Sequence, residues 1–235
     1  MYILRPKENR GKTKTKWLKS RHTFSFAEYL DFNNMGFGDL RVINDDYVAP
    51  GYGFDIHKHE NMEIISIVLE GELEHKDNMG NGSVIKRGEI QRISAGSGVM
   101  HTETNLSGYQ EVHFLQIWVL PDVENIKPEY EQKKFDLEKM KNKLCLIVSN
   151  NGRDGSLTMH QDIEIFQTII ESEQNVKYKV QKGRKVWIHV AEGSVEIKSE
   201  LMEGGDGMAI WDEEDYIHIN GIDKESNVLM FNLRG

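Results

Sequence analysis

Short runs of apolar or alternating apolar and polar residues recur along the chain, and glycine and asparagine separate them. In the first half the clearest runs are residues 63–75, 84–93 and 112–120. Runs of this length predict strands, and many of them in succession are typical of an all-β sandwich or barrel. Residues 78–82, Asn-Met-Gly-Asn-Gly, predict a tight turn, because asparagine and glycine tolerate positive φ angles. We therefore expect the first two runs to be antiparallel neighbours.

The strand pattern stops between residues 121 and 143, where charged residues and two prolines replace it. Within this stretch residues 130–140 are predicted to form a short helix. Beyond it, alternating runs resume at 144–148, 164–170, 177–180, 186–190, 195–199, 208–211 and 228–233. The sequence thus predicts two β domains, residues 1–125 and 144–235, with a connector over residues 126–143.

The two halves read as a diverged internal repeat. Residues 68–74, Val-Leu-Glu-Gly-Glu-Leu-Glu, match residues 190–196, Val-Ala-Glu-Gly-Ser-Val-Glu. If the repeat extends outward from this match, Lys179 and Gln181 stand where the first half has His57 and His59. Separately, His218 is the residue that we align with His101. A lone histidine does not make a metal site, so we expect the second domain to have a structural or pocket-covering role.

Metal-type ligands occur at a spacing of two residues in two pieces of the first half, His57-Lys58-His59 and His101-Thr102-Glu103. Residues two apart in a strand point to the same face, so each piece aims two ligands one way. Together they supply three imidazoles and one carboxylate. This donor set suits Fe(II), Mn(II), Ni(II) or Cu(II), whereas a structural zinc site would more often use cysteines.

The charge balance gives no general reason to bind nucleic acid or a membrane. The chain has 38 acidic and 29 basic residues and a formal net charge of -9. Its first 21 residues are locally basic, but the charges alternate with polar residues, as in a solvated hairpin, and no nucleic-acid recognition motif accompanies them. We expect no nucleic-acid or membrane partner.

Cys145 is the only cysteine, so an intrachain disulfide is impossible and the composition fits a reducing compartment. It stands in an apolar run, which favours a buried packing role over that of a nucleophile. The sequence contains no run of 18 apolar residues and no apolar core of a signal peptide near Met1. These features predict a cytoplasmic protein.

Two sets of motifs stand out in the first half. The first is Gly51-x5-His57-x-His59-x3-Glu63 with Gly71, followed by Gly88, Gly96, Gly98, His101 and Asn105. The second is Arg-His-Thr-Phe-Ser-Phe at 21–26, Met-Gly-Phe-Gly at 35–38, Arg-Val-Ile-Asn-Asp-Asp at 41–46, and Ser-Ala-Gly-Ser-Gly-Val-Met-His-Thr-Glu at 94–103. The first set resembles the two motifs of the cupin superfamily, and the second resembles the bacterial members of the pirin family within it. The match covers most of residues 21–120, and the second half resembles the family weakly.

This resemblance implies a bicupin, in which two β-barrel cupin domains follow in tandem and the first holds a metal, commonly iron. The residues that match the family's ligands are His57, His59, His101 and Glu103. Glu63 competes for the carboxylate position, because general cupins use the glutamate of the first motif. We prefer Glu103, since it stands two residues from His101 and shares its face.

The resemblance also implies a function. Some pirin-like proteins are quercetin 2,3-dioxygenases, which use O2 to open the heterocycle of a flavonol and release carbon monoxide. The expected cofactor is one divalent transition metal ion, first Fe(II), with Ni, Mn, Cu or Zn as alternatives, and Glu103 is the expected proton acceptor. The alternative is a non-catalytic regulator, whose metal responds to redox state and alters its contact with a protein partner.

Overall fold

The computed structural model describes all 235 residues, and its regular structure is almost entirely β-strand. Twelve strands lie before residue 135: β1 (Tyr2–Arg5), β2 (Gly11–Lys14), β3 (Leu18–His22), β4 (Leu40–Val48), β5 (Gly53–His59), β6 (Glu63–Glu70), β7 (Glu72–Asp77), β8 (Gly82–Lys86), β9 (Glu89–Ser94), β10 (Val99–Thr104), β11 (Val112–Val119) and β12 (Glu129–Lys134). Ten follow: β13 (Cys145–Ser149), β14 (Leu157–Thr158), β15 (Ile163–Glu171), β16 (Asn175–Lys179), β17 (Arg184–Glu192), β18 (Ser194–Ile197), β19 (Glu200–Glu203), β20 (Gly207–Ile210), β21 (Tyr216–Gly221) and β22 (Glu225–Arg234). The remaining regular elements are 3-10 helices at Lys7–Asn9, Leu137–Met140 and Arg153–Gly155.

The chain divides into two compact units. The N-terminal unit comprises Gly11–Phe135 and Met159–Gln161, and the C-terminal unit comprises Met1–Arg10, Asp136–Thr158 and Asp162–Gly235. These bounds differ from the expected domains, residues 1–125 and 144–235. The first ten residues belong to the C-terminal unit, because β1 pairs with β20. Such a pairing joins residues about two hundred positions apart and leaves no local pattern in the sequence.

Two antiparallel sheets form the N-terminal unit. The larger has the strand order β12-β9-β6-β11-β4-β3-β2, and the smaller has the order β5-β10-β7-β8. Strand β6, Glu-Ile-Ile-Ser-Ile-Val-Leu-Glu, shows why these segments are strands, since its β-branched residues fit a pleated surface buried on both faces. Ser66 interrupts this apolar run on the face that looks toward the smaller sheet.

The C-terminal unit repeats this plan. Its larger sheet has the order β1-β20-β17-β22-β15-β13-β14, and its smaller sheet has the order β16-β21-β18-β19. Gly71 and Gly193, which the predicted repeat aligns, occupy equivalent turns, β6 to β7 and β17 to β18, and both have a φ of 79°. The all-β fold with two barrels in tandem is therefore confirmed, and the repeat is visible in its turns.

The interiors of the two barrels differ in polarity. In the C-terminal unit one continuous apolar cluster fills the core. Inside the barrel of the N-terminal unit, apolar residues instead form two separate clusters, one around Phe114 and one around Ile93. Between them runs a row of buried polar residues, each the cross-strand partner of the next, which we call the polar row: His22, Asn44, Gln116, Ser66 and Gln91. The first barrel therefore has a polar interior at the level of this row.

The expected hairpins are present, but the expected helix is not. Strands β7 and β8 are antiparallel neighbours joined through Gly80, which has a φ of 94°. Of the basic N-terminal segment, residues 11–22 form the β2–β3 hairpin with its lysines exposed, whereas Arg5 and Arg10 are buried in the C-terminal unit. The prediction of a helix over residues 130–140 was wrong, because Glu129–Lys134 pairs with β9 at the sheet edge and only Leu137–Met140 is a 3-10 turn. Pairing with the open edge of β9 supplies backbone hydrogen bonds that local helix propensity cannot outweigh.

Cys145 is a free, partly buried thiol at the start of β13, and burial raises its pKa, as expected for a packing residue. None of the helices has the length and apolarity needed to cross a lipid bilayer.

Candidate metal centre

Strands β5 and β10 bring three imidazoles together on the inner side of the smaller sheet. His57 and His101 are direct cross-strand partners, and His59 lies opposite Val99. Alternation along β5 places His57 and His59 on one face, as the spacing predicts. One ring nitrogen from each of the three histidines lies within 4.8 Å of the others. The three ring centroids are 4.3 to 5.0 Å apart.

The hydrogen bonds of these histidines leave nitrogen lone pairs free for an ion. The Nδ1 of His57 donates to the carbonyl of Asp55 at 2.7 Å, which leaves its Nε2 without hydrogen. The Nδ1 of His101 lies 3.3 Å from the Nδ1 of His75. The Nε2 atoms of His59 and His101 are buried and have no hydrogen-bond partner. Buried nitrogens without partners are costly, and coordination would satisfy them, so the donor set fits a metal ion.

Burial also keeps two of these histidines in the ligand form. It lowers the pKa of His59 to about 4, with the neighbouring His57 contributing. It lowers the pKa of His101 to about 2, with His57 and His59 contributing. Both imidazoles are therefore neutral near pH 7, and neutral imidazole is the form that coordinates a metal.

Glu103 lies in the same strand as His101 but is held by the larger sheet. Its Oε1 accepts a hydrogen bond from Ser66 at 3.1 Å, and its Oε2 accepts one from Gln116 at 2.7 Å. It is fully buried and is not part of the group of three ligand atoms. Burial raises the pKa of Glu103 to about 7, against the lowering effect of Ser66 and Gln116. The polar row thus anchors a carboxyl group beside the three imidazoles.

Glu63, the competing carboxylate, points away from the imidazoles. It accepts a hydrogen bond from Ser94 at 2.7 Å. Burial raises the pKa of Glu63 overall, although Ser94 and Arg92 oppose this. Because Ser66 faces Glu103, the odd-numbered position of Glu63 in the same strand belongs to the opposite face of the sheet.

Behind His101 lie two residues whose part in the centre the sequence analysis did not identify. The Nε2 of His75 is 3.0 Å from Oδ2 of Asp77, and both side chains are fully buried. Burial lowers the pKa of His75, although Asp77 opposes this, so its ring is neutral. The ring of Tyr130 stacks on His75 at 5.0 Å. The spacing of His75 and Asp77, two residues apart in β7, is a signal that the sequence did contain.

Aromatic rings also flank the histidines. The indole of Trp118 meets the ring of His59 edge to face at 5.0 Å, and the ring of Phe26 contacts Trp118 in turn. The ring of Phe54 lies 6.4 Å from that of His57. Such rings offer stacking surfaces to an aromatic ligand and shield the centre from water.

The C-terminal unit offers no comparable centre. His218 lies opposite Lys177 in the pairing of β16 with β21, and its Nδ1 is 3.3 Å from the side-chain oxygen of Asn175. Lys179 lies opposite Tyr216. The three histidines of the N-terminal unit are the only group of three or more potential ligands in the structure.

Comparison with known proteins gives two family matches. Residues 4–119 match the model described as Pirin, and residues 146–233 match the model described as the quercetinase C-terminal cupin domain. The chain is 45% identical over 234 residues to the quercetin 2,3-dioxygenase of Escherichia coli K12, and the match covers 99% of both chains. It is 39% identical over 220 residues to a putative quercetin 2,3-dioxygenase of Pasteurella multocida, covering 92% of both.

Solved structures agree with these matches. The crystal structure of YhhW from Escherichia coli has a TM-score of 0.94 and 44% identity, covering 99% of this chain and 97% of that one. A structure of the bacterial pirin YhhW in complex with nickel(II) has a TM-score of 0.94 and 42% identity, covering 100% and 99%. A quercetin 2,3-dioxygenase from Acinetobacter baumannii has a TM-score of 0.74, covers 99% and 85%, and at 18% identity supports the fold alone.

Proposed function

Because this chain belongs to the pirin family of bicupins, we propose that it is a metal-dependent dioxygenase of the quercetin 2,3-dioxygenase type. The observation that carries the proposal is the group formed by His57, His59 and His101, with two buried Nε2 atoms that no protein group satisfies. The whole-chain similarity to the quercetin 2,3-dioxygenase of Escherichia coli supplies the reaction class. The expected substrates are a flavonol and O2.

The proposed ligands of the ion are His57, His59 and His101, with Glu103 as the fourth. The cofactor is a divalent transition metal, and Fe(II) is the ion that we propose. Three imidazoles and a carboxylate also suit Ni(II), Mn(II), Cu(II) and Zn(II), so the donor set alone does not select among them. The nickel(II) complex was obtained with YhhW of Escherichia coli.

The chain's own residues have three tasks in this reaction. The imidazoles hold the ion, which when bound supplies a Lewis acid that orients the flavonol hydroxyl toward O2. Glu103 accepts the hydroxyl proton as the general base. Phe54 and Trp118 flank the histidines with apolar surface, against which an aromatic substrate can pack. The reaction opens the substrate heterocycle and releases carbon monoxide.

The test is anaerobic purification with elemental analysis, followed by assay of each reconstituted metal form with quercetin. The decay of flavonol absorbance and the release of carbon monoxide are measured together. Metal-dependent turnover with one carbon monoxide per flavonol is the expected result. His101→Ala should abolish both metal and turnover, whereas His218→Ala is the matched control in the other barrel.

One equivalent of tightly bound metal without turnover of any flavonol would contradict the enzymatic proposal. That result would favour the alternative function, a metal-responsive protein that acts through a protein partner. The two functions differ in what they require of Glu103, because only the enzyme needs it to accept a proton.

A further inference from the structure

A line of three side chains leads from the metal centre to a turn at the end of strand β7. His101 is the cross-strand partner of Asp77, and Glu103 is the partner of His75. The Nδ1 of His101 lies 3.3 Å from the Nδ1 of His75, and the Nε2 of His75 lies 3.0 Å from Oδ2 of Asp77. His75 and Asp77 are side-chain neighbours with no exposed surface.

The turn determines which way these hydrogen bonds run. Asp77 Oδ1 accepts from the backbone N–H groups of Met79 at 2.9 Å and Asn81 at 3.0 Å, and Oδ2 accepts from the side-chain amide of Asn81 at 2.8 Å. Because all of these partners donate, Asp77 is an ionised acceptor, and although burial opposes them they lower its pKa. Asp77 therefore requires a hydrogen on Nε2 of His75.

The tautomer of His101 follows from that requirement. A neutral His75 with hydrogen on Nε2 has a bare Nδ1, which can only accept. The Nδ1 of His101 must then carry the hydrogen and donate it to His75, which leaves the Nε2 of His101 bare. This buried Nε2 is one of the atoms without a partner in the group of three ligands. The direction of the line is thus set from the turn, without reference to the ion.

We propose that His75 and Asp77 are positioning residues, which fix the tautomer and ring orientation of His101 and so set the affinity of the centre for its metal. The proposal rests on the metal site of the proposed function but not on its dioxygenase chemistry. A metal-bound histidine commonly donates its other N–H to a carboxylate, and loss of that partner typically weakens binding by about 10-fold to 100-fold. Here a second histidine, stacked on Tyr130, stands between the ligand and the carboxylate.

The variant Asp77→Asn tests the direction of the line with almost no change in shape. The two backbone N–H groups that now bind Oδ1 should hold the oxygen of the introduced amide in that position, so its NH2 group faces His75. His75 must then move its hydrogen to Nδ1, where it opposes the N–H of His101. The expected result is a Kd for Ni(II) that rises about 10-fold to 100-fold.

A second buried histidine and carboxylate pair provides the matched control. The Nε2 of His113 lies 2.6 Å from Oδ1 of Asp45, and His113 stacks on Tyr47 at 3.9 Å. This pair lies in the larger sheet, where alternation places Asp45 and His113 on the face opposite Asn44 and Gln116 of the polar row. Asp45→Asn therefore makes the same chemical change with no path to the ion, and it should leave the Kd for Ni(II) unchanged.

The experiment measures Ni(II) affinity by chelator competition in the metal-free full chain, with the thermal midpoint of each metal-free variant. Long-range proton–nitrogen NMR spectra of the histidine rings report the tautomers directly. Asp77→Asn should weaken Ni(II) binding and move the hydrogen of His75 from Nε2 to Nδ1. If Asp77→Asn does not fold, His75→Phe, which keeps the stack on Tyr130 and removes both nitrogens, gives the affinity test.

Two outcomes would overturn the proposal: an unchanged Kd in the folded variant, or an equal loss in Asp45→Asn. Failure of the metal site itself gives a different result. In that case the wild-type chain would not bind Ni(II), or His57→Ala and His101→Ala would bind it as the wild type does.

Discussion

At the scale of single residues, the centre depends on which nitrogen of each imidazole is free. His57 uses Nδ1 on a backbone carbonyl and His101 uses Nδ1 on His75, so in both rings Nε2 is the nitrogen left for an ion. The Nε2 of His59 is buried without a partner. Each imidazole therefore offers one nitrogen to the proposed ion.

Removing one of these ligands should therefore remove most of the bound metal. We expect His59→Ala or His101→Ala to reduce the metal content of the purified chain by about ten-fold or more, because each variant loses one of the four proposed ligands. Elemental analysis checks this, with His113→Ala as a control for loss of a buried histidine elsewhere. Full metal content in His101→Ala would remove that residue from the ligand set.

Glu103→Gln separates metal binding from proton transfer. The amide keeps the size of the side chain and an oxygen donor, but it cannot accept a proton. We expect the variant to retain metal while flavonol turnover falls by about 100-fold or more, the usual contribution of a general base. Glu63→Gln is the matched control, because that carboxyl group is bound to Ser94 outside the group of histidines.

If Glu103→Gln turns over quercetin at the wild-type rate, the proton-acceptor role is wrong. If Glu103→Ala leaves metal and activity intact while Glu63→Ala abolishes both, the carboxylate ligand is Glu63.

Asp46 gives the metal-free chain a specific pH dependence of stability. Burial, together with Asp45 and Glu103, raises the pKa of Asp46 to about 7, against the lowering effect of Ser20. Because the folded-state pKa is raised, the protonated Asp46 contributes fully to folding stability below pH 3.8, the pKa in the unfolded chain. This contribution is lost as the pH rises from there through about 7. The contribution is at most about 4 kcal/mol.

Asp46→Asn should remove that part of the pH dependence. Thermal midpoints of the metal-free wild type should fall between about pH 4 and about pH 7, and those of the variant should fall less. Some dependence remains, since the pKa of Glu103 is also raised. The same fall in both proteins would show that Asp46 is ionised throughout.

At the scale of elements, strands β5 and β10 build the centre because they are adjacent and their ligands share a face. The pairing of these strands shifts register between His101 and Glu103, whereas β10 continues to pair regularly with β7. Both His101 and Glu103 therefore remain inside the barrel, and Glu103 reaches the polar row of the larger sheet.

Gly71 forms the turn from β6 to β7, the position that Gly193 occupies in the other barrel. Gly71 has a φ of 79°, and a Cβ there would lie 2.9 Å from the backbone oxygen of Glu111. We expect Gly71→Ala to lower the free energy of unfolding by about 1 to 3 kcal/mol, from the left-handed conformation and this contact. Gly108→Ala is the control, because nothing lies within 4 Å of its Cβ position. Chemical denaturation measures both, and equal values would mean that the turn relaxes.

At the scale of the whole molecule, the two units share a sheet order but differ in what fills them. The apolar cluster of the C-terminal unit occupies the interior in which the N-terminal unit has its polar row and histidines. An apolar interior of this kind offers no ligands and would leave an ion unsolvated. Two barrels of the same plan therefore differ in their interior, which holds three potential metal ligands in one and an apolar core in the other.

We expect one metal ion per chain at saturation. Titration of the metal-free chain with Co(II), followed by absorbance, should end at one equivalent, because the structure has a single group of three potential ligands. His218→Ala should not alter this endpoint. Two equivalents of tightly bound Co(II), with one lost in His218→Ala, would place a second site in the C-terminal unit.

The sequence by itself determined the strand pattern, the tandem barrels and the three histidines. Alternation fixes which face a side chain takes, and this local rule was enough to group His57 with His59, while the resemblance to the cupins placed His101 with them. The repeat was also visible in the sequence, because a tight turn requires a residue that tolerates a positive φ, such as Gly71 or Gly193.

Only the tertiary structure decided what surrounds those ligands. The pairing of β1 with β20, the edge strand β12, and the contacts of Glu103 with Ser66 and Gln116 all join segments far apart in the chain. The register of β7 against β10, which places His75 behind His101, is another pairing of this kind. Local patterns record the direction of a side chain, whereas its partners depend on which strands become neighbours, and that is settled by packing of the whole barrel.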